Sequence, residues 1–260
     1  MIQKIDSTDN NKLKLVRKLS KRKFRDAERK YVIEGTNLVS EAVKRSISIE
    51  FILISEDYKN DKFIESIAKD FNICKTSSEI FNKHTDAESG VGVLAVVNKS
   101  KELTNFESLI SSDSNILIFD KVQDPGNIGT MIRTAVATGY DLIIALKGTA
   151  DIYSPKVLRS TAGNIFEIPI IYTDKTVEMI DSIKKKGIRV VATIPEGARN
   201  YYDEDLSKGV ALVIGNEGKG ISEEIKKFAD VKVTIPMKGK TESLNAAISA
   251  AILMYETIRR

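Results

Sequence analysis

The feature that most constrains the fold of this 260-residue chain is a regular alternation of apolar runs and helix-length segments in its second half. Such alternation is typical of βαβ units and predicts a mainly parallel sheet that is covered by helices on both faces. The predicted class is therefore α/β. The predicted strands span residues 116–119, 142–146, 165–171, 188–194, 210–214 and 231–235.

Small or polar residues follow three of these strands directly. In an open parallel α/β sheet, ligands bind beyond the carboxyl ends of strands, where backbone N–H groups and helix N-termini point outward. We therefore expect the three segments to outline one cleft. They read DKVQDPGNIG at 120–129, running into Arg133; VIGNEGKG at 213–220; and IPM at 235–237, leading to ESLN at 242–245.

A second, smaller α/β pattern occupies the first part of the chain. Beyond it, the apolar content falls and polar residues dominate, as in a linker or a helix that lies across a surface. We predict an N-terminal domain at 1–97, a linker at 98–114 and a second domain at 115–260. The predicted elements of the first domain are helices at 12–21, 36–44 and 61–70 and strands at 50–54 and 91–97.

Basic residues are concentrated near the start of the chain. Residues 1–30 hold eleven Lys or Arg and four acidic residues, a local charge of +7, whereas the whole chain carries +4. A basic stripe of this kind is typical of a surface that contacts nucleic-acid phosphates. A solvated helix face is the alternative. The candidate phosphate-contacting residues are Lys18, Lys21, Arg22, Lys23 and Arg25.

Several classes of protein are disfavoured. Cys74 is the only cysteine and His84 the only histidine, which excludes an internal disulfide, a cysteine-cluster zinc site and catalysis by paired histidines. We expect both to be ordinary structural or surface residues, and we expect no bound metal. No run approaches the roughly 18 apolar residues of a membrane span, and the first residues lack the layout of a signal peptide, so a cytoplasmic protein is expected.

The first segment contains a helix start. Asp124 is a plausible N-cap and Pro125 suits the first helical position, so free N–H groups there favour anions. Arg133 can hold a phosphate or a carboxylate through two parallel hydrogen bonds, and Asn127 can both donate and accept. A simple turn, with Arg133 paired to a neighbouring helix, is the alternative.

The second segment is rich in glycine but is not a Walker loop, because it lacks that spacing and carries an acidic residue at its centre. Gly-x-Gly-x-x-Gly is also absent from the first strand of either domain, which disfavours a dinucleotide fold. The glycines permit a backbone bent tightly round a compact ligand, and Glu217 can accept from an amine, a hydroxyl or an Arg. A plain glycine-rich connection to a helix at Ser222 is the alternative.

The third segment leads into a predicted helix over 243–260, for which Thr241 or Ser243 can be the cap. Ser243 and Asn245 would present a hydroxyl and an amide to the cleft, although capping alone would explain Ser243. Small residues on this helix would let another element approach closely. Its predicted apolar stripe consists of Leu244, Ile248, Ala251, Tyr255 and Ile258.

Taken in this order and spacing, the three segments resemble the signature motifs of the SpoU/TrmH group of SPOUT RNA methyltransferases. The resemblance covers residues 115–260 closely, apart from Asn164, where the family has a small residue. Residues 10–97 resemble, more loosely, the ribosomal-protein-like substrate-binding domain of many members. The motif matches are Asp124-Pro125-x-Asn127-x-Gly129-x-x-x-Arg133, Ile214-Gly215-x-Glu217-x-x-Gly220, and Ile235-Pro236-Met237-x-Gly239 with Ser243-Leu244-Asn245.

The resemblance implies methyl transfer from S-adenosylmethionine to a ribose 2′-hydroxyl of structured RNA by a homodimer, with a deep trefoil knot at the cofactor site. Large-subunit rRNA is the expected substrate, with a tRNA or a resistance-type rRNA methyltransferase as alternatives. A non-catalytic RNA-binding assembly factor is the competing class. The implied cofactor contacts are Thr193, Gly215, Asn216, Ile235, Met237 and Leu244, and the implied RNA and catalytic positions are Asn127, Arg133, Glu217, Ser243 and Asn245.

Overall fold

A computed structural model describes residues 2–85, 92–99, 106–195 and 197–259 of the chain. The chain forms two compact units, each of which combines two stretches of sequence. The first unit is 1–101 with Tyr153–Phe166, and the second is Glu102–Ile152 with Glu167–Arg260. The domain bounds that we drew from the sequence do not anticipate that Tyr153–Phe166 groups with the first unit. The predicted linker falls partly outside the described residues.

The regular elements alternate along most of the chain. The helices are α1 (Asn11–Leu19), α2 (Arg22–Glu28), α3 (Thr36–Lys44), α4 (Asp61–Ile67), α5 (Ser78–Asn82), α6 (Pro125–Ala137), α7 (Pro155–Ser160), α8 (Thr176–Lys185), α9 (Glu223–Phe228) and α10 (Ala246–Glu256). The strands are β1 (Gln3–Ile5), β2 (Lys30–Glu34), β3 (Ile49–Ser55), β4 (Ile73–Thr76), β5 (Val93–Asn98), β6 (Ile116–Asp120), β7 (Leu142–Leu146), β8 (Ile170–Thr173), β9 (Arg189–Thr193), β10 (Arg199–Asn200), β11 (Val210–Gly215) and β12 (Val231–Thr234).

The first unit contains a mixed five-stranded sheet in the order β1-β4-β3-β5-β2. β1, β4 and β3 run parallel, and β5 is antiparallel to both of its neighbours. The apolar face of α1 supplies Leu13, Val16 and Leu19 to the core, where they pack with Phe51 and Leu53 of β3. The predicted helices and strands of this unit are confirmed, with small shifts at their ends, except that residue 91 of one predicted strand lies outside the described residues.

The second unit contains a seven-stranded sheet in the order β10-β12-β9-β11-β6-β7-β8, and all of these neighbours pair in parallel. β6, β7 and β11 are buried along their whole length, as continuous apolar strands covered on both faces should be. The predicted α/β class with a mainly parallel sheet is confirmed. The trefoil knot is not tested by the strand order and stays a prediction.

Two sequence predictions for residues 115–260 were wrong. Of the predicted strand at 165–171, only its end belongs to β8, because a turn with Gly163 at φ 93° precedes a short 3₁₀ segment at Asn164–Phe166. The final helix begins at Ala246 and is capped by Asn245, not by Thr241 or Ser243. None of the helices in the described residues is long and apolar enough to cross a membrane.

The apolar stripe predicted for α10 faces outward. Ile248, Tyr255 and Ile258 are each more than 50% exposed (52%, 52% and 53%). The face that packs against α6 instead includes Ala247 and Ala250, which are buried. Ala247 and Ala250 are among the small residues that were expected to let another element approach, and α6 is an element that contacts this helix.

Candidate functional site

The strand order brings the three motif segments to one edge of the seven-stranded sheet. β12, β9, β11 and β6 are consecutive and parallel, so their carboxyl ends lie side by side. The last pair in register between β11 and β6 is Gly215 with Asp120. The loops that leave these strands therefore meet over a short distance, as the sequence predicted.

A pocket of about 850 Å³ lies at this edge. Its wall combines the end of β9, the loop after β11, and the segment between β12 and α10. Glu217, Ser243 and Asn245 also line it. The pocket wall contains all six positions that the sequence assigned to a cofactor, namely Thr193, Gly215, Asn216, Ile235, Met237 and Leu244.

The loop after β11 is folded back on itself against Gly215. Asn216 and Gly220 exchange two backbone hydrogen bonds of 3.0 and 2.8 Å, and the side chain of Asn216 accepts from the N–H groups of Gly218 and Lys219. A Cβ atom at Gly215 would lie 2.3 Å from the carbonyl carbon of Gly220. Gly215 is therefore required by a close backbone approach, which leaves room for the pocket beside it.

A chain of side-chain hydrogen bonds joins all three segments. The Nδ2 group of Asn245 donates to Oδ1 of Asn127 at 3.0 Å, and Nδ2 of Asn127 donates to Oε1 of Glu217 at 3.0 Å. The orientation of each amide is fixed, because Oδ1 of Asn245 already accepts from the backbone N–H groups that begin α10. We call this chain of Asn245, Asn127 and Glu217 the amide relay.

Glu217 anchors the loop that precedes α6. Its two carboxylate oxygens accept from the backbone N–H groups of Gln123 and Asp124, each at 3.0 Å, in addition to Asn127. Burial raises the pKa of Glu217, but the hydrogen bonds from Asn127, Asp124 and Gln123 outweigh it and lower the pKa below its ordinary value. Glu217 is therefore a charged acceptor that holds this loop in place.

The helix start predicted in the first segment is confirmed. Asp124 caps α6 by accepting from the N–H group of Asn127 at 2.9 Å, and Pro125 is the first helical residue. Asn127 is buried, whereas Arg133 is exposed on another face of α6, since six residues correspond to about 240° of rotation. Neither residue lines the pocket, but Asn127 is joined to it by its hydrogen bonds to Glu217 and Asn245, whereas the side chain of Arg133 makes no hydrogen bond to the other implied catalytic positions.

Sequence reasoning missed Asp120, which is 1% exposed at the end of β6. Its Oδ2 atom accepts from the N–H group of Ser222 at 2.6 Å and so holds the start of α9. An acidic residue at the end of an apolar strand was the available signal. Sequence reasoning also missed Gln123, whose side-chain amide donates to the carbonyl groups of Lys121 and Gly148.

The basic candidates of the first unit divide into two kinds. Lys18, Lys21, Arg22 and Lys23 are exposed, and Arg22 pairs with Asp26 at 3.6 Å. Arg25 departs from the expectation, because it is only 4% exposed and its guanidinium donates to the carbonyl groups of Leu19 and Ser20 at 2.6 and 2.8 Å. Arg25 therefore caps the end of α1 and is not a surface ligand. Cys74 is buried, and Nδ1 of His84 bonds the carbonyl of Ile80.

Comparisons with known proteins identify two matching family models. The SpoU rRNA Methylase family matches residues 114–255, and an MRM3-like substrate binding domain matches residues 10–95. Among curated relatives, the 23S rRNA (guanosine(2553)-2′-O)-methyltransferase RlmP of Bacillus subtilis is 33% identical over 254 residues, which cover 98% of each chain.

Solved structures give the same result. The SpoU methyltransferase AviRb of Streptomyces viridochromogenes, in complex with AdoMet, superposes with a TM-score of 0.88 at 26% identity, covering 96% of this chain and 97% of that one. An AdoMet-bound rRNA methyltransferase of Sinorhizobium meliloti superposes with a TM-score of 0.87 at 29% identity, covering 99% and 98%.

Proposed function

This chain belongs to the SpoU rRNA methylase family, and from that premise we propose that it transfers a methyl group from S-adenosylmethionine to a ribose 2′-hydroxyl of large-subunit rRNA. The observation that carries the proposal is the pocket at the carboxyl edge of the seven-stranded sheet, which is lined by the second and third motif segments and is joined to the first segment by the amide relay. The relative in Bacillus subtilis is named for this reaction on 23S rRNA.

The pocket suits S-adenosylmethionine in size and chemistry. About 850 Å³ is within the usual range for small-molecule sites, and the wall mixes apolar side chains with a few polar groups. Ile235, Met237 and Leu244 would provide apolar contacts for an adenine ring, and Gly215 and Asn216 line the same pocket. The cofactor supplies a methyl group on a positively charged sulfur.

The protein contributes positioning to this reaction. With the cofactor held by the pocket residues, its methyl group would pass to the ribose oxygen as the carbon–sulfur bond breaks, and the hydroxyl proton would pass to water beside an RNA phosphate. A ribose hydroxyl is a weak nucleophile, so its alignment with the methyl group matters more than acid catalysis. Asn127, Glu217 and Asn245 keep the loops in register, and Ser243 offers a hydroxyl group at the pocket wall.

Arg133 is the residue that we assign to the RNA. Its side chain is exposed, and it has no hydrogen-bond or ion-pair partner among the residues that the structure describes. A guanidinium can hold a phosphate through two parallel hydrogen bonds, whereas Lys acts as a point charge, and its very high pKa disfavours a role as a base. Arg133→Lys should therefore lower the methylation rate at saturating RNA. An unchanged rate would remove this role.

The first unit would supply further RNA contacts through Lys18, Lys21, Arg22 and Lys23. These side chains are exposed, and residues 10–95 match a substrate-binding domain model. Binding through them should weaken as the salt concentration rises, because phosphate contacts release counterions. We assign this reaction to the cytoplasm, by analogy with the bacterial relatives.

We further propose that the chain works as a homodimer through the exposed face of α10. Ile248 and Tyr255 of α10 and Ile258 just beyond its end are exposed apolar side chains, and a second copy would remove them from water. Ile248→Glu should reduce the molar mass from that of a dimer to that of a monomer in size-exclusion chromatography with light-scattering detection. Val177→Glu, at an apolar position of α8 that is also exposed, is the matched control and should leave the dimer intact.

The experiment that tests the proposed function combines binding and activity. Calorimetry should detect S-adenosylmethionine and should not detect NAD or ATP. The purified protein should then incorporate labelled methyl into an unmodified 23S rRNA transcript, and mapping of ribose methylation in a deletion strain should show one missing 2′-O-methyl group. If the protein bound the transcript but did not bind S-adenosylmethionine and transferred no methyl group, it would instead be a non-catalytic assembly factor.

A further inference from the structure

Lys121 has an unusual backbone conformation at the edge of the pocket. It follows the last residue of β6 and has a φ of 62°, in the left-handed region. This region is readily occupied by glycine, whereas a residue with a long side chain is strained there by contact between its Cβ and its own carbonyl. A glycine at this position would satisfy the backbone without strain.

The conformation is held by the neighbouring motif. The carbonyl of Lys121 accepts from Nδ2 of Asn216 at 3.0 Å and from Nε2 of Gln123 at 3.3 Å. Asn216 lines the pocket, so the backbone of Lys121 is one hydrogen bond away from the pocket wall. Backbone strain that is kept at a functional site indicates that the side chain of the strained residue has a role there.

The side chain of Lys121 is exposed and its direction is restricted. Its stem lies over Gly148, where an added Cβ would be only 3.0 Å from Cγ of Lys121. Within the described residues no carboxylate pairs with Lys121, whereas Lys147 at the end of the adjacent β7 lies 3.9 Å from Asp174. The ammonium group is therefore available for an external anion.

We propose that Lys121 binds a backbone phosphate of the RNA substrate beside the pocket. This inference rests on the proposed function, because it requires an RNA that reaches the pocket edge. The backbone conformation at position 121 favours glycine, yet the residue there is a lysine. The anionic groups that an RNA substrate offers to a lysine are its backbone phosphates. Lys121 would then fix the position of the RNA strand along the protein, so that the target ribose faces the pocket.

The test is the salt dependence of binding to an unmodified 23S rRNA transcript, measured by fluorescence anisotropy over a series of KCl concentrations. Lys121→Gly removes the cation at a position where glycine suits the backbone. Loss of one phosphate contact should reduce the slope of log K against log [KCl] by about 0.7 to 0.9. Lys121→Arg should retain the slope. The control is Lys208→Ala, which removes a cation just before β11, at the opposite edge of the sheet.

The readouts separate this inference from the proposed function. If the wild-type protein methylates the transcript but Lys121→Gly leaves the slope unchanged, the inference is wrong and the proposed function stands. A weaker affinity for S-adenosylmethionine with an unchanged slope would also overturn it, since the ammonium would then serve the donor. The melting temperature of Lys121→Gly should be equal or higher, because strain is relieved, and a clear fall would contradict the argument.

Discussion

The three motif segments and the basic segment at 1–30 were both selected from the sequence, yet their residues behave differently in the structure. In the motif segments, Asn127, Glu217 and Asn245 make specific hydrogen bonds to one another. In the basic segment, most cationic groups are exposed, and Arg25 is buried in a structural role.

The difference shows what each kind of signal contains. A motif with fixed spacing constrains which atoms can meet, because each residue has a set distance from a strand end or a helix start. A local excess of charge constrains only the average character of a surface. It cannot distinguish an exposed Lys21 from a buried Arg25, since both contribute equally to the count. Four perturbations test this contrast.

The largest effect is expected at Gly215, in the motif segments. A Cβ there would lie 2.3 Å from the backbone of Gly220, so Gly215→Ala must open the loop that forms the pocket wall. We expect the affinity for S-adenosylmethionine to fall by roughly 100-fold, because overpacking costs up to about 3 kcal/mol and the binding loop itself is displaced. Calorimetry measures this, and Gly239→Ala, which meets nothing within 4 Å, should bind normally.

A smaller effect is expected from Asn127→Asp, which conserves size but replaces the donor that faces Glu217. Two carboxylate groups would then oppose each other at the position of a 3.0 Å hydrogen bond. Loss of this hydrogen bond and the repulsion between the two carboxylates should cost about 1–3 kcal/mol. If the relay positions the loops, the methylation rate should fall by roughly ten- to 100-fold.

The double variant Asn127→Asp with Glu217→Gln is the control, since the amide introduced at position 217 could donate to the new carboxylate at position 127. Partial recovery of the methylation rate is expected from it. If the loss of methylation rate in the double variant, expressed as a free energy, equalled the sum of the losses in the two single variants, the amide relay would not act as a unit.

In the basic segment, the exposed and buried residues should separate. The combined variant Lys21→Glu, Arg22→Glu and Lys23→Glu should weaken RNA binding by about tenfold or more at low salt, with little change in stability. Arg25→Gln should instead lower the free energy of unfolding by about 1–3 kcal/mol, because it loses buried hydrogen bonds, and leave RNA affinity nearly unchanged. Equal effects of the two variants on RNA binding would abolish the distinction.

The smallest effect is a pH dependence at Glu217. Its pKa is lowered in the folded protein, so its contribution to stability is complete above the unfolded pKa of about 4.3 and disappears as the pH falls through the folded value. The difference in unfolding free energy between the wild type and Glu217→Gln should therefore shrink as the pH falls below about 4.5. Urea unfolding at several pH values measures it, with Glu28→Gln as the control at an exposed site.

The sequence predicted the strands and the meeting of the motif segments well, because continuous apolar runs and capped helix starts are local signals. Ile143 and Val213 are buried in predicted strands, and Asp124 caps α6 as expected. The start and the outward face of α10 were not predictable in this way. Both depend on Asn127, 118 residues away, which holds the amide of Asn245, and on α6, which covers the alanine face.

Hydrogen-bond partners within the site were also beyond the sequence. Glu217 was expected to bind an amine, a hydroxyl or an Arg, but its acceptors are filled by one amide and two backbone N–H groups. The partner of a polar side chain is decided by tertiary packing, which the motif spacing does not contain.

The direction of each donor in the amide relay has an evolutionary consequence. Asn245 donates to Asn127 and Asn127 donates to Glu217, so no member can reverse its polarity unless its neighbour reverses too. We therefore expect a change at one of the three positions to be tolerated only with a compensating change at the others.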